Sequence, residues 1–141
     1  LLVDCGHGLC FVRGMIDQLF QRENYVVAKK MLDAAHDRHQ AISSNIANVE
    51  TPGYKRQDVS TDFAAEIQKL AKTGDVQRIQ QLTPRLVNDL NSPAVRADGN
   101  NVQIDNELLK MATNATEYEF LAQYTSNSLN RLKTAITGHA R

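Results

Sequence analysis

No tryptophan occurs among the 141 residues, aromatics make up only 6%, and three prolines and seven glycines are too few for a Pro- or Gly-rich low-complexity chain. The missing rings exclude a core built on large aromatic anchors, so burial has to come from Ala, Leu, Ile and Val. Neither sign of charge dominates, because sixteen basic and sixteen acidic residues cancel to a formal charge of zero. That balance removes the general electrostatic case for nucleic acid or an anionic membrane surface, each of which wants a basic excess. No apolar run approaches the roughly 18 residues of a membrane span. The two cysteines, Cys5 and Cys10, are too few and too close together for a disulfide framework or a zinc cluster. Residues 1–14 also fail as a cleaved secretory leader, since Asp4 and His7 interrupt the apolar run and no basic region precedes it. They read as an atypical leader outside the fold, and export, if it occurs, is expected to need no cleaved signal.

What is present favours helices within a single domain. From Met15 to about Val49 no Pro or Gly interrupts a run of helix formers. Two neighbouring rails run along it. One is Val27, Met31, Ala34, Arg38, Ala41, Asn45, Asn48; the other is Ala28, Leu32, Ala35, His39, Ile42, Ile46, Val49. Side by side they form a stripe wide enough to touch more than one neighbouring element. Thr51-Pro52-Gly53-Tyr54 must end the helix, because Pro52 disfavours helical geometry at Thr51 and Gly53 suits the positive φ of a type II turn. Tyr54 to Val59 then looks extended. Ser60, Thr61 and Asp62 offer an N-cap for a short helix with Phe63, Ile67 and Leu70 on one face, ending near Gly74.

Residues 75–100 show only weak periodicity at Val76, Ile79 and Leu82, broken by Pro84, Pro93 and the turn signal Asp98-Gly99-Asn100. They are expected to form a loop-rich insert with a short strand or hairpin. Asp105 stands where an N-cap should be, opening a helix to about Thr137 before Gly138. Its heptad register reads Leu108, Met111, Ala115, Tyr118, Ala122, Thr125, Leu129, Leu132, Ile136. The expected fold is mainly α: long N- and C-terminal helices packed as an antiparallel coiled-coil-like pair around a small insert. The divisions are a leader at 1–14, an N-terminal helix at 15–50, the turn and insert at 51–104, a C-terminal helix at 105–137, and a tail at 138–141. Both stripes are too broad for one partner helix, which points to a subunit whose ends complete their packing when copies associate.

The segment 44–56, SNIANVETPGYKR, with Ser43 filling the serine position, closely resembles the S-x-N-x-A-N-x-x-T-P-G-Y-type signature of the bacterial flagellar rod and hook axial protein family. Lys55 to Val59, and Asp98 to Val102 followed by Asp105 and Glu107, look like its proximal-rod members. The resemblance covers about residues 15–137 and is weakest at 75–97. It implies a non-catalytic structural subunit of the basal-body rod, its terminal helices lining a central export channel in the periplasm-spanning rod. The partners it implies are identical subunits, other rod proteins, ring or export-gate components at the rod base, and the flagellar type III export apparatus. No nucleic acid, cofactor or transmembrane segment is expected.

The residues expected at subunit contacts are Asn45, Ala47, Asn48, Thr51, Pro52, Gly53 and Tyr54 in the signature, and Leu108, Met111, Tyr118, Leu129, Leu132 and Ile136 in the C-terminal heptads. Asn45 and Asn48 share a helix face and can either fix register against a neighbour or satisfy carbonyls at the helix end. Tyr54, Lys55 and Arg56 either meet the next subunit or form a solvated strand. His36 and His39 lack a third firm ligand for a metal, and the carboxylates read as caps and solvated charges, not as an acid/base pair. An alternative within the same composition is a helical adaptor or export-chaperone-like module that binds one partner helix through its heptad face.

Overall fold

The computed structural model describes residues 23–89 and 97–138. The leader at 1–14, the first turns expected at 15–22, Pro93 and the tail from 139 onward lie outside the described residues. Six elements follow in order: α1 (Glu23–Ala47), β1 (Gln57–Val59), α2 (Thr61–Thr73), α3 (Val76–Gln81), β2 (Leu86–Asn88) and α4 (Ile104–Thr137).

α1 gives way to turns at 48–50, just before the expected end at Val49. At Thr51 to Tyr54 the chain reverses through a turn closed by the Tyr54 N–H on the Thr51 carbonyl at 3.3 Å. Gly53 has φ +72°, as a type II turn requires at its third position. Ser60 caps α2 by accepting from the Asp62 N–H, and Phe63, Ile67 and Leu70 form the buried face of that helix up to the Gly74 cap. The segment expected to be loop-rich instead carries the short helix α3, because Asp75 caps it through the Arg78 N–H and Ile79 plugs the core with no exposed surface. β2 returns antiparallel to β1, pairing Gln57 with Asn88, Asp58 with Val87 and Val59 with Leu86.

The width of the α1 stripe is used within one chain. On its first rail, Ala34 and Val27 pack with Val59, Phe63, Ile67 and Leu82 of the insert. Val26 joins Leu70 and Ile79 in a second cluster. On the other rail, Ala35 meets α4, where the Asn114 side chain reaches its backbone carbonyl at 2.9 Å. Alanine makes this approach possible, since a larger side chain would hold the two backbones apart. Asn45 meets Glu107, Arg38 meets Glu117 and Ala35 meets Asn114, so the two long helices pack with their chains running in opposite directions.

α4 departs from the expected phase. Its buried residues are Glu107, Asn114 and Leu121, a repeat of seven that lies one residue before Leu108, Ala115 and Ala122. Both phases share Met111, Tyr118, Thr125 and Leu132, so periodicity alone cannot separate them. The inward phase is set by two polar residues, Asn114 held by α1 and Glu107 held by α1 and by Arg56 just before β1, while Leu108, Tyr118, Leu129 and Ile136 remain exposed along the flank. Nor does Asp105 cap the helix: α4 starts at Ile104 after an extended Gln103, and Asp105 falls in its first turn.

Candidate functional site

The signature turn and the start of α4 meet in one polar joint. Asn45, with no exposed surface, uses its whole amide inside the chain. Its Nδ2 donates to the Gln57 carbonyl at 2.8 Å and to Glu107 Oε2 at 2.9 Å. Its Oδ1 accepts from the Gln57 N–H at 2.9 Å and from the Tyr54 hydroxyl at 3.2 Å. The last turn of α1 is thereby fastened to the entry of β1 as though it were an added strand. Asn48 turns back to its own helix, donating to the Ser44 carbonyl at 2.9 Å, which is the helix-end role open to it from the sequence.

Arg56 occupies the centre. It is 4% exposed, which excludes both the solvated strand and a direct contact with another subunit. Its Nε donates to Glu107 Oε1 at 2.7 Å and its Nη1 to Asp89 Oδ2 at 2.7 Å, while Nη2 pairs with Asp58 Oδ2. Its backbone N–H donates to Asn101 Oδ1 at 2.7 Å, and Asn101 Nδ2 donates to the Asp89 carbonyl at 2.8 Å. Burial works against the charged guanidinium, but hydrogen bonds and charge from Glu107 and Asp58 outweigh it, and the pKa of Arg56 is raised. Glu107 is 1% exposed and so is no solvated first-turn acid; it accepts from Arg56 on one oxygen and Asn45 on the other.

Asn100 completes the joint from the α4 side. Fully buried, its Nδ2 lies 3.0 to 3.1 Å from the carbonyls of Asn48, Val49 and Thr51, just past the end of α1. Its Oδ1 accepts from the Val102 N–H at 2.8 Å, which turns the chain into α4. Lys55 ties the same loop to the signature turn, donating to the Gly99 carbonyl at 2.6 Å.

The expected contact residues divide into two groups. Asn45 is consumed within the joint, and Asn48 and Tyr54 are half-buried beside it. Ala47, Thr51, Pro52 and Gly53 are exposed at its tip. On α4, Met111 and Leu132 are half-buried, whereas Leu108, Tyr118, Leu129 and Ile136 are exposed, the last at 80%. Glu107, Asn100 and Asn101 were absent from the expected contacts, and Arg56 was left open between a neighbouring subunit and solvent. The signal for them was present in the stretches that carried the resemblance, 44–59 and 98–107, which turn out to be the two halves of the joint.

A separate cleft of about 260 Å³ lies at the seam of the long helices, lined by His36, His39, Asn114, Ala115 and Tyr118. Asn114 is 3% exposed, and its Oδ1 has no hydrogen-bond donor. An unpaired buried acceptor costs about 1–3 kcal/mol. Among the described residues, no group of three or more His, Cys, Asp or Glu is placed to hold a metal ion, and no helix is long and apolar enough to cross a membrane. In the joint every carboxylate and amide named is engaged by a partner, an arrangement that fixes geometry.

The flagella basal body rod protein family profile matches residues 32–55, the end of α1 together with the signature turn. The flagellar basal body rod protein FlgB of Aquifex aeolicus (strain VF5) is 32% identical over 114 residues, spanning 79% of this chain and 91% of that protein. FlgB of Bacillus subtilis (strain 168) is 29% identical over 114 residues, covering 76% and 88% of the two chains. FlgB of Escherichia coli (strain K12) is 25% identical over 124 residues, covering 77% and 88%. Identity over so much of both chains, with the profile falling on the α1 half of the joint, means that this chain belongs to the FlgB family of flagellar basal body rod proteins.

Proposed function

We propose that this chain is a structural subunit of the proximal rod of the flagellar basal body, polymerising through its terminal helices around the export channel. The observation that carries the reading is the division of labour along α4. Its N-terminal third is locked by the joint, while Leu108, Tyr118, Leu129 and Ile136 stay exposed along one flank of a helix of 34 residues. An apolar surface of that length on a small chain is characteristic of an association face.

In this reading α1 and α4 form a coiled-coil-like antiparallel pair that bundles with the pairs of neighbouring copies. The helices at 15–50 and 105–137 are the axial parts, and the insert within 51–104 faces outward. Leu108, Met111, Tyr118, Leu129, Leu132 and Ile136 make the axial contacts; Ala47, Thr51, Pro52 and Gly53 meet the neighbour at the tip of the joint. Asn45, Asn48 and Tyr54 support those contacts by holding the turn. The subunit joins other rod components, meets ring or export-gate proteins at the rod base, and reaches the periplasm-spanning rod through the type III apparatus without a cleaved signal.

The test is deletion of residues 128–141. Truncated chain that stays soluble while rods fail to assemble and cells lose motility is the expected result. Complete rods and normal motility from the truncated chain would overturn the proposal.

A further inference from the structure

The two heptad frames of α4 are unequal in a way that hydrophobicity does not explain. At every seventh residue the inward frame places Glu107, Asn114, Leu121, Ser128 and Ala135, whereas the frame one residue on places Leu108, Ala115, Ala122, Leu129 and Ile136. Glu107, Asn114 and Leu121 are buried and Ser128 is half-buried; of the second set only Ala122 is as much as half-buried. Burial of apolar surface alone would choose the second set. Because the frames share Met111, Tyr118, Thr125 and Leu132, α4 would reach the second by turning about 50° on its axis, half the step of one residue. Room for that turn exists, since the seam cleft is lined by Ala115 and Tyr118 of α4 against His36 and His39 of α1 and so lies on the side toward which Ala115 would move. Two polar side chains stand in the way. Glu107 is held from two directions, by Asn45 at 2.9 Å and by Arg56 at 2.7 Å. Asn114 donates to the Ala35 carbonyl at 2.9 Å, while its buried Oδ1 has no donor.

We propose that Glu107 and Asn114 are a phase lock, holding α4 against its own more apolar frame so that this frame stays on the outside of the lone chain. A polar residue at a core position specifies register at a cost in stability, and here two of them, seven residues apart, fix the rotation of one helix at two levels. The unpaired Asn114 oxygen is part of that cost: an apolar residue in its place would leave no orphaned acceptor, and would also lose the bond to Ala35 that defines the direction α4 faces. The frame kept outside contains Leu108, Leu129 and Ile136, so the lock is what leaves them exposed. The device belongs to a single chain and stands apart from the rod reading.

The experiment uses the full chain with Cys5→Ser and Cys10→Ser, carrying one reporter thiol, Ala115→Cys or Ser128→Cys, labelled with a maleimide at a dilution where sedimentation velocity shows single chains. In this background the thiol at 115 should label faster than the thiol at 128, as their exposures require. Adding Glu107→Ala and Asn114→Ala together should let α4 turn, slowing the thiol at 115 and quickening the thiol at 128, each by at least about threefold. Opposite signs separate a turn from a loosening of the helix, which quickens both. Glu107→Ala with Asn114→Leu restores apolar bulk to the inward frame and should keep the parent order. Asn114→Ala alone leaves Glu107 its partners, and should move both rates in the same directions by a smaller factor; it decides the matter if the double variant does not fold. Unchanged rates in either alanine variant, quickening at both sites in Asn114→Ala, or a turned order with Asn114→Leu overturns the lock while leaving the rod reading intact.

Discussion

Arg56 and Arg38 are both arginines paired with carboxylates, yet their surroundings give them different weights. Arg38 meets Glu117 at the surface, with side chains 36% and 53% exposed, where solvent screening limits an ion pair to about 0–1 kcal/mol. Arg56 and Glu107 meet at 5% and 1% side-chain exposure, where removing one partner strands a charge. Glu107→Ala is therefore expected to destabilise by about 3 kcal/mol, against less than about 1 kcal/mol for Glu117→Ala, both read from urea unfolding. Asn45→Asp is a sharper probe because it keeps the shape. It replaces the donor facing Gln57 O and Glu107 Oε2 with an acceptor, and a loss of about 3 kcal/mol or more is expected in the same assay. The raised pKa of Arg56 gives the pH behaviour its sign. A group whose folded pKa lies above its unfolded value stabilises fully below the unfolded pKa and loses that contribution only as pH climbs through the folded one. Arg56 should therefore contribute no slope to stability between about pH 6 and 9, and a thermal-unfolding series across that range that tracked Arg56→Lys would contradict it.

The elements separate into those that local chemistry specifies and one that it does not. At Gly53 the backbone has φ +72° and an added Cβ would meet nothing within 4 Å, so Gly53→Ala should cost only conformational strain, about 1 kcal/mol by chemical denaturation. Ile79 is the opposite case, a fully enclosed side chain linking α3 to α1 through Val26 and Leu70. Ile79→Ala should cost about 2–5 kcal/mol and release the insert from α1, visible as lost amide protection in α2 and α3 with α4 unaffected. The turn at 51–54, the Ser60 cap and the Phe63, Ile67, Leu70 face were all readable from the sequence, because each depends on residues within a few positions of one another. α3 was missed because its six residues show little more than one turn of periodicity. The phase of α4 was misread because two heptad frames, one residue apart, share half their positions.

Taken together, the described residues form a joint with two unequal arms. The insert, β1 and the start of α4 are bound by Arg56, Asn45 and Asn100, whereas the C-terminal half of α4 has Leu121 as its last buried residue. Hydrogen exchange on the unassembled chain should reflect that layout. Amides of 107–121 should be the best protected in α4, those of 125–137 should exchange at least about tenfold faster, and assembly should slow the second group. Uniform protection along α4 in the lone chain would count against an association face there.

Composition, turn chemistry and helical periodicity were enough to establish a mainly helical chain with two long helices and a sharp reversal at Thr51-Pro52-Gly53-Tyr54, since each of these is a property of neighbouring residues. Whether Asn45 and Arg56 would look outward to another subunit or inward was decided only in three dimensions. Their partner Glu107 lies 62 and 51 residues away, and no local pattern reveals that a carboxylate in one helix turn will be buried against an arginine so distant in the chain. That long-range pairing also selects the inward face of α4, and with it the apolar flank left exposed.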